Sequence, residues 1–316
     1  MRGRGMDLLA LRCFQVVARH EHISRAAAEL RVAQPSVSRT VARLEAELGV
    51  ELFERRGRRI RLNRHGAAFL RRVDRALGEL EDGRRELAEA AGTGAGAVTV
   101  ATETLMTVAA LLPGHRAAHP GVDVRLRQCP ADAMAHLLRT RAADLCLASE
   151  PLAGPGLESV ELLREEVLLA VPAGHRLAGR EGVEVAELEG EPFLTPGPGH
   201  WQRELADRLF ARAGLRPAVV CEGNEPGALL DLVGAGLGVA LLPAMARDAG
   251  LRAGVAWARL ADDGSRRVLW LVRDREAFVP AAVRDFAGFT VAHFKGVPGA
   301  GSRQTVRAAV PGAGRG

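Results

Sequence analysis

The segment from Ala27 to Gly49, AAELRVAQPSVSRTVARLEAELG, constrains the fold most strongly because two short helical patterns are separated by only a few residues. The second pattern opens with Gln34-Pro35, and proline is tolerated in the first turn of a helix, where its missing N–H has no intrahelical partner. Apolar residues then recur at helical spacing and predict one buried face: Val37, Val41, Leu44 and Leu48. This arrangement predicts a helix-turn-helix.

The opposite face of the second helix carries polar groups suited to nucleic acid. The side chains predicted to point outward are Gln34, Ser36, Ser38, Arg39 and Arg43. These donors and acceptors fit base edges and phosphates in a DNA major groove. The alternative is an ordinary amphipathic helix with a solvated polar face.

Three helices are therefore predicted in this part of the chain. The first runs from Leu8 to Ala18 and places five apolar residues on one face: Leu8, Leu11, Phe14, Val17 and Ala18. The second, which is the first of the two short patterns described above, is predicted over Arg25 to Leu30, with Ser24 as its N-cap and Ile23 packing in front of the cap.

The charge of the chain is concentrated at this end. Residues 1–66 contain fourteen arginines and seven acidic residues, a net charge of +7, whereas the whole chain carries +5, so the remainder carries −2. A basic N-terminal segment joined to a near-neutral body is the pattern of a nucleic-acid-binding head. A solvated basic face is the alternative that charge alone leaves open.

A basic hairpin, or wing, is predicted after the third helix, which begins at Gln34 and ends at Leu48-Gly49-Val50. Six arginines follow Leu52-Phe53: Arg55, Arg56, Arg58, Arg59, Arg61 and Arg64. The run HISRAAAELRVAQPSVSRTVARLEAELGVELFERRGRRIRLNRHG resembles the winged helix-turn-helix of LysR-type transcriptional regulators. Together with the outward face, the resemblance gives this predicted DNA-binding set: Gln34, Pro35, Ser36, Ser38, Arg39 and Arg43 in the helix, with Arg55 and Arg58 in the wing.

The chain departs from the family pattern at two positions. Ala33 stands where the family usually has a capping serine or threonine, and Asn63 stands where threonine is common. Because alanine has no side-chain acceptor, the helix that begins at Gln34 is expected to lack a side-chain cap.

Residues 67–91 predict one long linker helix with apolar residues at the spacing of heptad a and d positions. The predicted dimerisation residues are Leu70, Val73, Leu77 and Leu80, and Leu87 continues the series. The resemblance implies that this helix forms the dimer contact. Packing of the same residues against the chain's own body is the alternative.

The glycine-rich segment AAGTGAGA, residues 90–97, marks a domain boundary. After it, short apolar runs alternate with helical stretches, which predicts an α/β fold. The predicted strands are 98–101, 122–126, 145–148, 167–171, 193–194, 219–221, 239–242 and 268–272.

The body also resembles the effector-binding part of LysR-type regulators, through LLPGHRAAHPGVDVRL, ADLCLAS, LLLAVPAGHRLAG and LVGAGLGVALLP. The resemblance implies the fold of periplasmic binding proteins, with two lobes joined by crossing strands and a ligand cleft between them. The predicted organisation is a winged helix-turn-helix over residues 1–66, a linker helix over 67–91, a two-lobed effector domain over 92–295 and a disordered tail over 296–316.

Ligands of such a fold bind where strand ends meet the starts of helices. The predicted effector-binding residues are Thr102, Thr104, Ser149, Thr195, His200, Trp201, Gln202 and Asn224. Thr104 is favoured because the family tends to place a serine or threonine on the effector there. Nearby Glu103, Glu222 and Glu225 favour an amine, a hydroxylated ring or an amphoteric metabolite over a simple anion. Helix capping, or a surface or core position, is the alternative for each residue.

Enzyme chemistry is not predicted. The chain contains no G-x-S-x-G, G-x-x-x-x-G-K or H-E-x-x-H motif. The glycines of GAGLGVALLP precede a predicted strand, whereas a dinucleotide loop follows one. Cys13, Cys129, Cys146 and Cys221 lack metal-ligand spacing, so neither a metal, a cofactor nor a disulfide framework is expected.

The sequence therefore predicts a ligand-responsive, sequence-specific transcriptional regulator of the LysR type. Its expected partners are double-stranded promoter DNA, a small-molecule effector, further copies of the chain in a homodimer or homotetramer, and RNA polymerase. No signal peptide or membrane span is predicted, so a cytoplasmic location is expected. The alternative function is an architectural or constitutive DNA-binding protein with a degenerate pocket.

Overall fold

The computed structural model divides the chain into two units, which are described separately. It describes residues 6–56, 59–92, 96–250, 253–296 and 305–307. The first unit, called the head, comprises residues 1–88 with the short segment 139–141, and the second, called the body, comprises residues 89–138 and 142–316.

Three helices form the helix-turn-helix of the head: α1 (Leu8–His20), α2 (Ile23–Leu30) and α3 (Gln34–Leu48). Arg31 ends α2 in the left-handed conformation, with φ of 54°, and so turns the chain within three residues into α3. The predicted inward residues Val37, Val41 and Leu44 are buried, and Leu48 packs against the same core. The helix-turn-helix prediction is confirmed.

Helix α1 begins at Leu8 as predicted, but the predicted burial of Leu8 and the predicted cap of α2 are wrong. Leu8 is 52% exposed because the apolar core covers α1 only from Ala10 onward. The N-cap of α2 is His22, whose Nδ1 accepts a hydrogen bond from the Arg25 amide at 3.4 Å, so the prediction of Ser24 as the cap is wrong. Ser24 instead lies inside the first turn, because the helix begins at Ile23.

Helix α3 begins and ends as the sequence predicts. Its N-cap, Ala33, makes no side-chain hydrogen bond, and Pro35 lies in the first turn. Gly49 ends the helix with φ of 71°, a conformation that costs glycine little because it has no Cβ. An antiparallel hairpin follows, formed by β1 (Phe53–Arg56) and β2 (Arg59–Leu62), in the position of the predicted wing.

The linker helix α4 (Arg64–Ala90) starts at the end of the wing. Asn63 holds this start: its Oδ1 accepts from the Gly66 amide at 2.9 Å, and its Nδ2 donates to the Glu51 carbonyl at 2.8 Å. A Cβ at Gly66 would lie 2.1 Å from the Leu52 carbonyl oxygen, so the close approach of α4 to this loop requires glycine.

The predicted heptad seam of α4 divides into a buried part and an exposed part. Val73 is only 2% exposed and belongs to the core of the head, against which Leu70 and Leu77 also pack. Leu80 and Leu87 are 54% and 73% exposed. The prediction of Val73 as a dimerisation residue is therefore wrong, because the helix-turn-helix of the same chain already covers its side chain.

The strands of the body, within the described residues, form one sheet with the order β4-β3-β5-β11-β6-β9-β7-β8, to which β10 and β12 add by pairing with β6. The strands are β3 (Ala97–Thr102), β4 (Asp123–Gln128), β5 (Leu145–Ala148), β6 (Leu157–Pro172), β7 (Pro192–Thr195), β8 (Ala218–Glu222), β9 (Val239–Pro243), β10 (Val255–Arg259), β11 (Arg266–Asp274) and β12 (Thr305–Arg307).

The helices of the body are α5 (Leu105–Ala109), α6 (Leu112–Ala118), α7 (Ala131–Arg139), α8 (Trp201–Arg212), α9 (Pro226–Gly234), α10 (Ala244–Asp248) and α11 (Ala281–Lys295). Mixed pairing with helical connections gives the predicted α/β class. The parallel pairs are β3 with β4 and β5, and β7 with β8 and β9, whereas β11 runs antiparallel to β5 and β6.

Strand β6 joins the two lobes of the body. Its first part, 157–166, pairs with β11, and its second part, 167–172, pairs with β9 and β10. The sequence predicted only 167–171 as a strand, because charged residues interrupt the first part. Residues 157–166 are nevertheless held in an extended strand, because they pair with β11 at nine register positions. Local periodicity in the sequence does not show this pairing.

Strands β10 and β12 were not predicted from sequence. Alanines alternate with larger residues along Val255–Arg259, which gives a weak strand pattern. The predicted disordered tail is described only at Gly296 and at 305–307, and these three residues form β12, so that part of the prediction is wrong. The rest of the tail lies outside the described residues.

The cysteines and helices of the described segments bear on the remaining structural expectations. All four cysteines are free thiols, with Cys13 and Cys146 buried. No helix in the described ranges combines the length and apolar character needed to cross a membrane. Among the same residues, no group of histidine, cysteine and acidic side chains has a metal-binding arrangement.

Candidate functional site

The outward face of α3 presents the predicted DNA-binding groups. Gln34, Pro35 and Arg39 are exposed, whereas Ser36 and Ser38 are half-buried. Arg39 folds back along the helix, with its Nε donating to the Pro35 carbonyl at 3.3 Å. An exposed contact of this kind is weak, so the guanidinium can exchange it for a base or phosphate acceptor.

Arg43 lies at the same exposed face but has a partner within the head. Its Nη2 is 3.1 Å from Oδ2 of Asp7, whose other carboxylate oxygen accepts from the Ala10 amide and caps α1. Both side chains are more than half exposed, so this ion pair contributes little stability and competes weakly with a phosphate. Arg58 and the side chain of Arg55 lie outside the described part of the chain.

The polar centre of the body is Arg267 on β11, a residue that sequence reasoning missed. Its side chain is 1% exposed. Nε donates to Ser149 Oγ at 3.1 Å, and Nη2 donates to Thr107 Oγ1 at 3.1 Å. Its guanidinium carbon lies 5.0 Å from the centre of the Trp201 ring. Arg267 thus joins residues that follow β5, belong to α5 and begin α8.

The counter-ion of Arg267 is Glu165 on β6, its direct cross-strand partner, at 3.4 Å from Nη1. Oε2 of Glu165 accepts from the Met245 amide at 2.8 Å. Burial raises the pKa of Glu165 above its usual value, against the opposing effects of Arg267 and that amide. Burial likewise lowers the pKa of Arg267. For both residues, the attraction between the two charges therefore offsets only part of the cost of removing each charge from water.

The loop after β3 is held by two acceptors. Thr102 Oγ1 donates to the Thr104 carbonyl at 3.1 Å and also accepts from the Thr104 amide at 3.4 Å. Glu103 is 2% exposed, and its Oε2 accepts from the Ser149 amide at 2.7 Å. Thr102 therefore shapes the loop, and Glu103 fixes the neighbouring strand end.

Three polar atoms of the predicted effector set are buried and, within the described chain, have no hydrogen-bond partner: Thr104 Oγ1, Trp201 Nε1 and Gln202 Nε2. Leaving such an atom unpaired costs about 1–3 kcal/mol. The indole and amide nitrogens are donors, and the hydroxyl is both donor and acceptor. These groups therefore suit a ligand that offers acceptor oxygens.

The remaining residues of the predicted set have different surroundings. Thr195 and His200 are buried, and the Thr195 carbonyl accepts from the Gly223 amide. Asn224 is exposed, and its Oδ1 accepts from the Gly197 amide at 3.3 Å, which joins the two loops of that lobe. Glu222 is exposed and pairs with Arg203 at 2.9 Å. Of the three glutamates considered for an amine, Glu103 and Glu222 thus already have partners.

A sequence signal for Arg267 does exist. It lies two residues before Leu269 in a strand, so a period of two places it on the same face as an apolar core residue. A charged residue on a buried strand face needs a partner. Glu165 and Thr107 carry no comparable signal, because their roles depend on which strand and helix the fold brings beside β11.

Comparison with known proteins identifies both parts of the chain. The model described as "Bacterial regulatory helix-turn-helix protein, lysR family" matches residues 8–67, and the model described as "LysR substrate binding domain" matches residues 91–295. The chain belongs to the LysR family of transcriptional regulators. The resemblance that the sequence suggested is therefore confirmed for the head and the body of this LysR regulator.

Curated relatives of the LysR regulator match along most of its length. The HTH-type transcriptional regulator YybE of Bacillus subtilis is 32% identical over 293 residues, 92% of this chain and 99% of YybE. The HTH-type transcriptional regulator ShiR of Corynebacterium glutamicum is 31% identical over 285 residues, 83% of this chain and 95% of ShiR. These relatives are named as transcriptional regulators, and this chain is a regulator rather than an enzyme.

Solved structures resemble the LysR regulator over nearly the whole chain. An OxyR variant of Corynebacterium glutamicum is 26% identical and has a TM-score of 0.56, with 93% of this chain and 95% of that chain covered. Full-length CbnR in complex with its target DNA is 25% identical and has a TM-score of 0.57, with 92% and 100% covered. The order of a helix-turn-helix followed by a two-lobed α/β domain is thus shared with known LysR regulators.

Proposed function

We propose that this regulator binds promoter DNA at an interrupted inverted repeat. The observation that supports this is the outward face of α3, which presents Gln34, Ser36, Ser38 and Arg39 while the opposite face is buried in the head. Helix α3 enters the major groove with its N-terminal residues, and the wing contacts the adjacent backbone. Arg43, Arg55 and Arg58 supply phosphate contacts. The same proposal includes RNA polymerase as a partner and the cytoplasm as the location of the protein.

Selection of sequences from a random duplex library with the full-length protein tests this proposal. Because a symmetric dimer imposes its symmetry on its site, the enriched duplexes should contain two half-sites related by a dyad. Enrichment of a single unpaired half-site, or of no sequence at all, would contradict the inverted-repeat proposal. Retention of every duplex with equal affinity would instead favour an architectural DNA-binding protein.

We propose that the copies associate as a dimer or tetramer through the exposed part of α4. Leu80 and Leu87 lie seven residues apart on this helix and are mostly exposed in the single chain. A seven-residue apolar spacing suits packing against a second helix. Leu70 and Leu77 can extend this contact only at their uncovered edges, because they already pack against the head.

Substitution of Leu80 and Leu87 by aspartate is expected to shift the protein towards monomers. Each buried leucine side chain contributes about 1.5–3 kcal/mol, so the dimer dissociation constant should rise by at least about tenfold. Light scattering after size exclusion, over a range of protein concentrations, measures this change. Leu237→Asp, an exposed leucine of the body, is the control. An unchanged oligomer in the double variant would place the interface elsewhere.

We propose that a small polar metabolite binds between the lobes of the body and regulates DNA binding. The observation that carries this proposal is that Thr104, Trp201 and Gln202 each hold a buried polar atom with no hydrogen-bond partner among the described residues, and that the Trp201 ring lies beside Arg267. Thr195 and His200 complete the second-lobe side, and Ser149 reaches the site through Arg267. Thr102 and Asn224 act indirectly by holding loops. The ligand must bind one arrangement of the assembly better, typically by about 1–3 kcal/mol.

Thr104→Val is expected to blunt the effector response while leaving DNA affinity without effector nearly unchanged. Valine keeps the shape of threonine and removes the hydroxyl, so about 1–3 kcal/mol of effector binding should be lost. The measurement is DNA binding titrated with a metabolite that first raises the melting temperature of the wild-type protein in a screen. Thr290→Val is the matched control, because it removes another buried hydroxyl, on α11, that has no hydrogen-bond partner within the described part of the chain.

Two outcomes would count against this site. A Thr104→Val protein that responds at wild-type concentrations would remove the β3 loop from the site. A library of polar metabolites that leaves both the melting temperature and the DNA affinity unchanged would favour constitutive DNA binding with a degenerate pocket.

A further inference from the structure

The turn between α7 and β5 contacts the linker helix. Its three residues, Arg139–Arg141, group with the head, although the residues on both sides of them in sequence belong to the body. The residues of α4 that face this turn are Gly78 and Asp82, and both are buried. They lie four residues apart and therefore on one face of the helix. This face of α4 holds the turn in place.

The contact between the turn and α4 is a buried ion pair. Arg141 Nε lies 2.7 Å from Oδ2 of Asp82, and the two side chains are 6% and 7% exposed. The second carboxylate oxygen of Asp82 is also buried and has no hydrogen-bond partner within the described part of the chain. Removing two charges from water is costly, and here one acceptor atom stays unsatisfied. Such a pair specifies the position of the turn more than it stabilises the fold.

The backbone of Arg141 gives independent support to this role. Its φ is 57°, in the left-handed region that favours glycine. The residue takes this conformation at the end of α7, where the amides of Ala142 and Ala143 both donate to the Leu137 carbonyl. Glycine would suit this helix end better, because it has no Cβ. The arginine is therefore explained by its partner Asp82, and the turn itself does not require it.

Gly78 allows the turn to approach α4 closely. A Cβ at this position would lie 3.1 Å from the Arg139 carbonyl oxygen and 3.7 Å from two carbons of the Arg141 side chain. Glycine lowers helix propensity, so its place beneath the turn gives a physical reason for it. Leu80 and Leu87 lie on the opposite side of α4, because a helix has 3.6 residues per turn. The turn thus leaves the proposed dimer contact free.

Strand β5 connects the turn to the polar centre of the body. Asp144 fixes the start of β5: its amide donates to the Thr99 carbonyl at 2.8 Å, and its Oδ2 accepts from the Thr99 amide at 2.7 Å. All four residues of β5 are buried. Ser149 follows the strand, with its amide bonded to Glu103 and its hydroxyl bonded to Arg267. Because a packed interior transmits strain, a displacement at Ser149 passes along β5 to the turn.

We propose that Asp82 and Arg141 are positioning residues through which the polar centre of the body acts on the linker helix. Their ion pair holds the turn at one place on α4, and β5 relates that place to Ser149. The inference rests on the proposed function in one respect, since it takes DNA binding by the head as the output. By linkage, DNA bound to the head must then alter the turn and the Ser149 end of β5.

The role of the ion pair is tested by hydrogen–deuterium exchange of the full-length protein without DNA. Arg141→Gly removes the pair but relieves the left-handed backbone, so a purely local role predicts a turn that is as stable as before or more so. Loss of the pair should instead speed the exchange of α4 amides around Asp82 by at least about tenfold. Asp82→Asn, which keeps the shape and removes the charge, should have the same effect. Unchanged α4 exchange in both variants would overturn the proposal.

The matched control for Arg141→Gly is Arg31→Gly. Arg31 ends α2 in the same left-handed conformation, with φ of 54°, and is exposed. The control therefore removes the same side chain from the same backbone conformation, and α4 should exchange as it does in the wild type. Equally fast α4 exchange in Arg31→Gly would show that loss of an arginine, and not of this ion pair, loosens the helix, and would overturn the proposal.

The coupling is tested by repeating the exchange measurement with the selected operator duplex at saturation. In the wild type, operator binding should change the exchange of amides 139–149 by about fivefold or more, the usual lower range for coupled sites. In Asp82→Asn the operator should still bind, because the outward face of α3 is untouched, but this change should disappear. No change in the wild type, or an equal change in Asp82→Asn, would overturn the proposal. Failure to select any operator would count against the proposed function alone, because the exchange of α4 without DNA needs no operator.

Discussion

Arg39→Ala is expected to weaken binding to the selected inverted repeat by about tenfold to a hundredfold, because a side chain that reads a base edge contributes about 1–3 kcal/mol. Arg39 is exposed on the reading face of α3, and its only hydrogen bond among the described residues is the weak one to the Pro35 carbonyl. Binding to a scrambled duplex should weaken far less, since that binding depends on phosphate contacts alone. Mobility-shift or fluorescence-anisotropy titrations of both duplexes measure the difference.

The control for Arg39→Ala is Arg125→Ala, which removes the same charge from an exposed, paired arginine of the body. Its effect on both duplexes should be small. Wild-type affinity for DNA should fall steeply with salt concentration, because each neutralised phosphate releases counterions. Arg39→Ala should lower the ratio of operator to scrambled-duplex affinity, while the slope of affinity with salt should change little. Equal losses on the operator and the scrambled duplex would show that Arg39 contacts phosphate and reads no base.

Arg267→Met is expected to lower the free energy of unfolding of the body by about 3–5 kcal/mol, the usual cost of breaking a buried ion pair. The substitution leaves Glu165 buried without its counter-ion and removes the hydrogen bonds to Ser149 and Thr107. Denaturant titration followed by tryptophan fluorescence measures this loss. All three tryptophans of the chain, Trp201, Trp257 and Trp270, lie in the body and so report its unfolding.

The loss caused by Arg267→Met should shrink as the pH falls. Burial raises the pKa of folded Glu165 above its unfolded value, and removing Arg267 raises that pKa further. A carboxyl group with a raised folded pKa favours the folded state when protonated, so the variant regains stability relative to the wild type as pH falls through this folded pKa. A loss that is independent of pH would mean that lost packing and hydrogen bonds, and not the unpaired carboxylate, dominate.

Arg259→Met provides the matched control for Arg267→Met. Arg259 pairs with Glu166 and Glu181, but its side chain is 53% exposed. Exposed ion pairs contribute about 0–1 kcal/mol, so this variant should unfold close to the wild type at every pH. A large loss in Arg259→Met would show that the fluorescence transition does not discriminate buried from exposed pairs.

The sequence alone determined the helix-turn-helix, because every signal that defines it is local. The apolar spacing of Val37, Val41 and Leu44, the first-turn position of Pro35 and the glycine at position 49 act within one or two helical turns. The sequence also predicted that Ala33 gives α3 no side-chain cap, because a cap depends only on the type of residue at that position. The cap of α2 was misassigned because His22 and Ser24 both offer an acceptor near the start of the same helix.

The α/β class of the body was also determined locally, through apolar runs that alternate with helical stretches. Strand β10 and the first part of β6 were not predicted, because their alternation of apolar and polar residues is weak and their pairing partners are distant in the chain. The seam of α4 shows a different limit. A heptad pattern records that a face is apolar, but whether the head or a second copy covers it depends on tertiary packing, which buries Val73 and leaves Leu80 exposed.

The polar centre of the body depends on contacts between residues that are distant in the sequence. Arg267 is more than a hundred residues from Ser149 and Glu165 in sequence, and the register of β11 against β6 places it opposite Glu165. The sequence placed hydroxyl and aromatic residues at the right loops, because strand ends and helix starts are local features. It could not show that Thr102 would satisfy its own loop while Thr104 stayed unpaired, because hydrogen-bond satisfaction depends on three-dimensional neighbours.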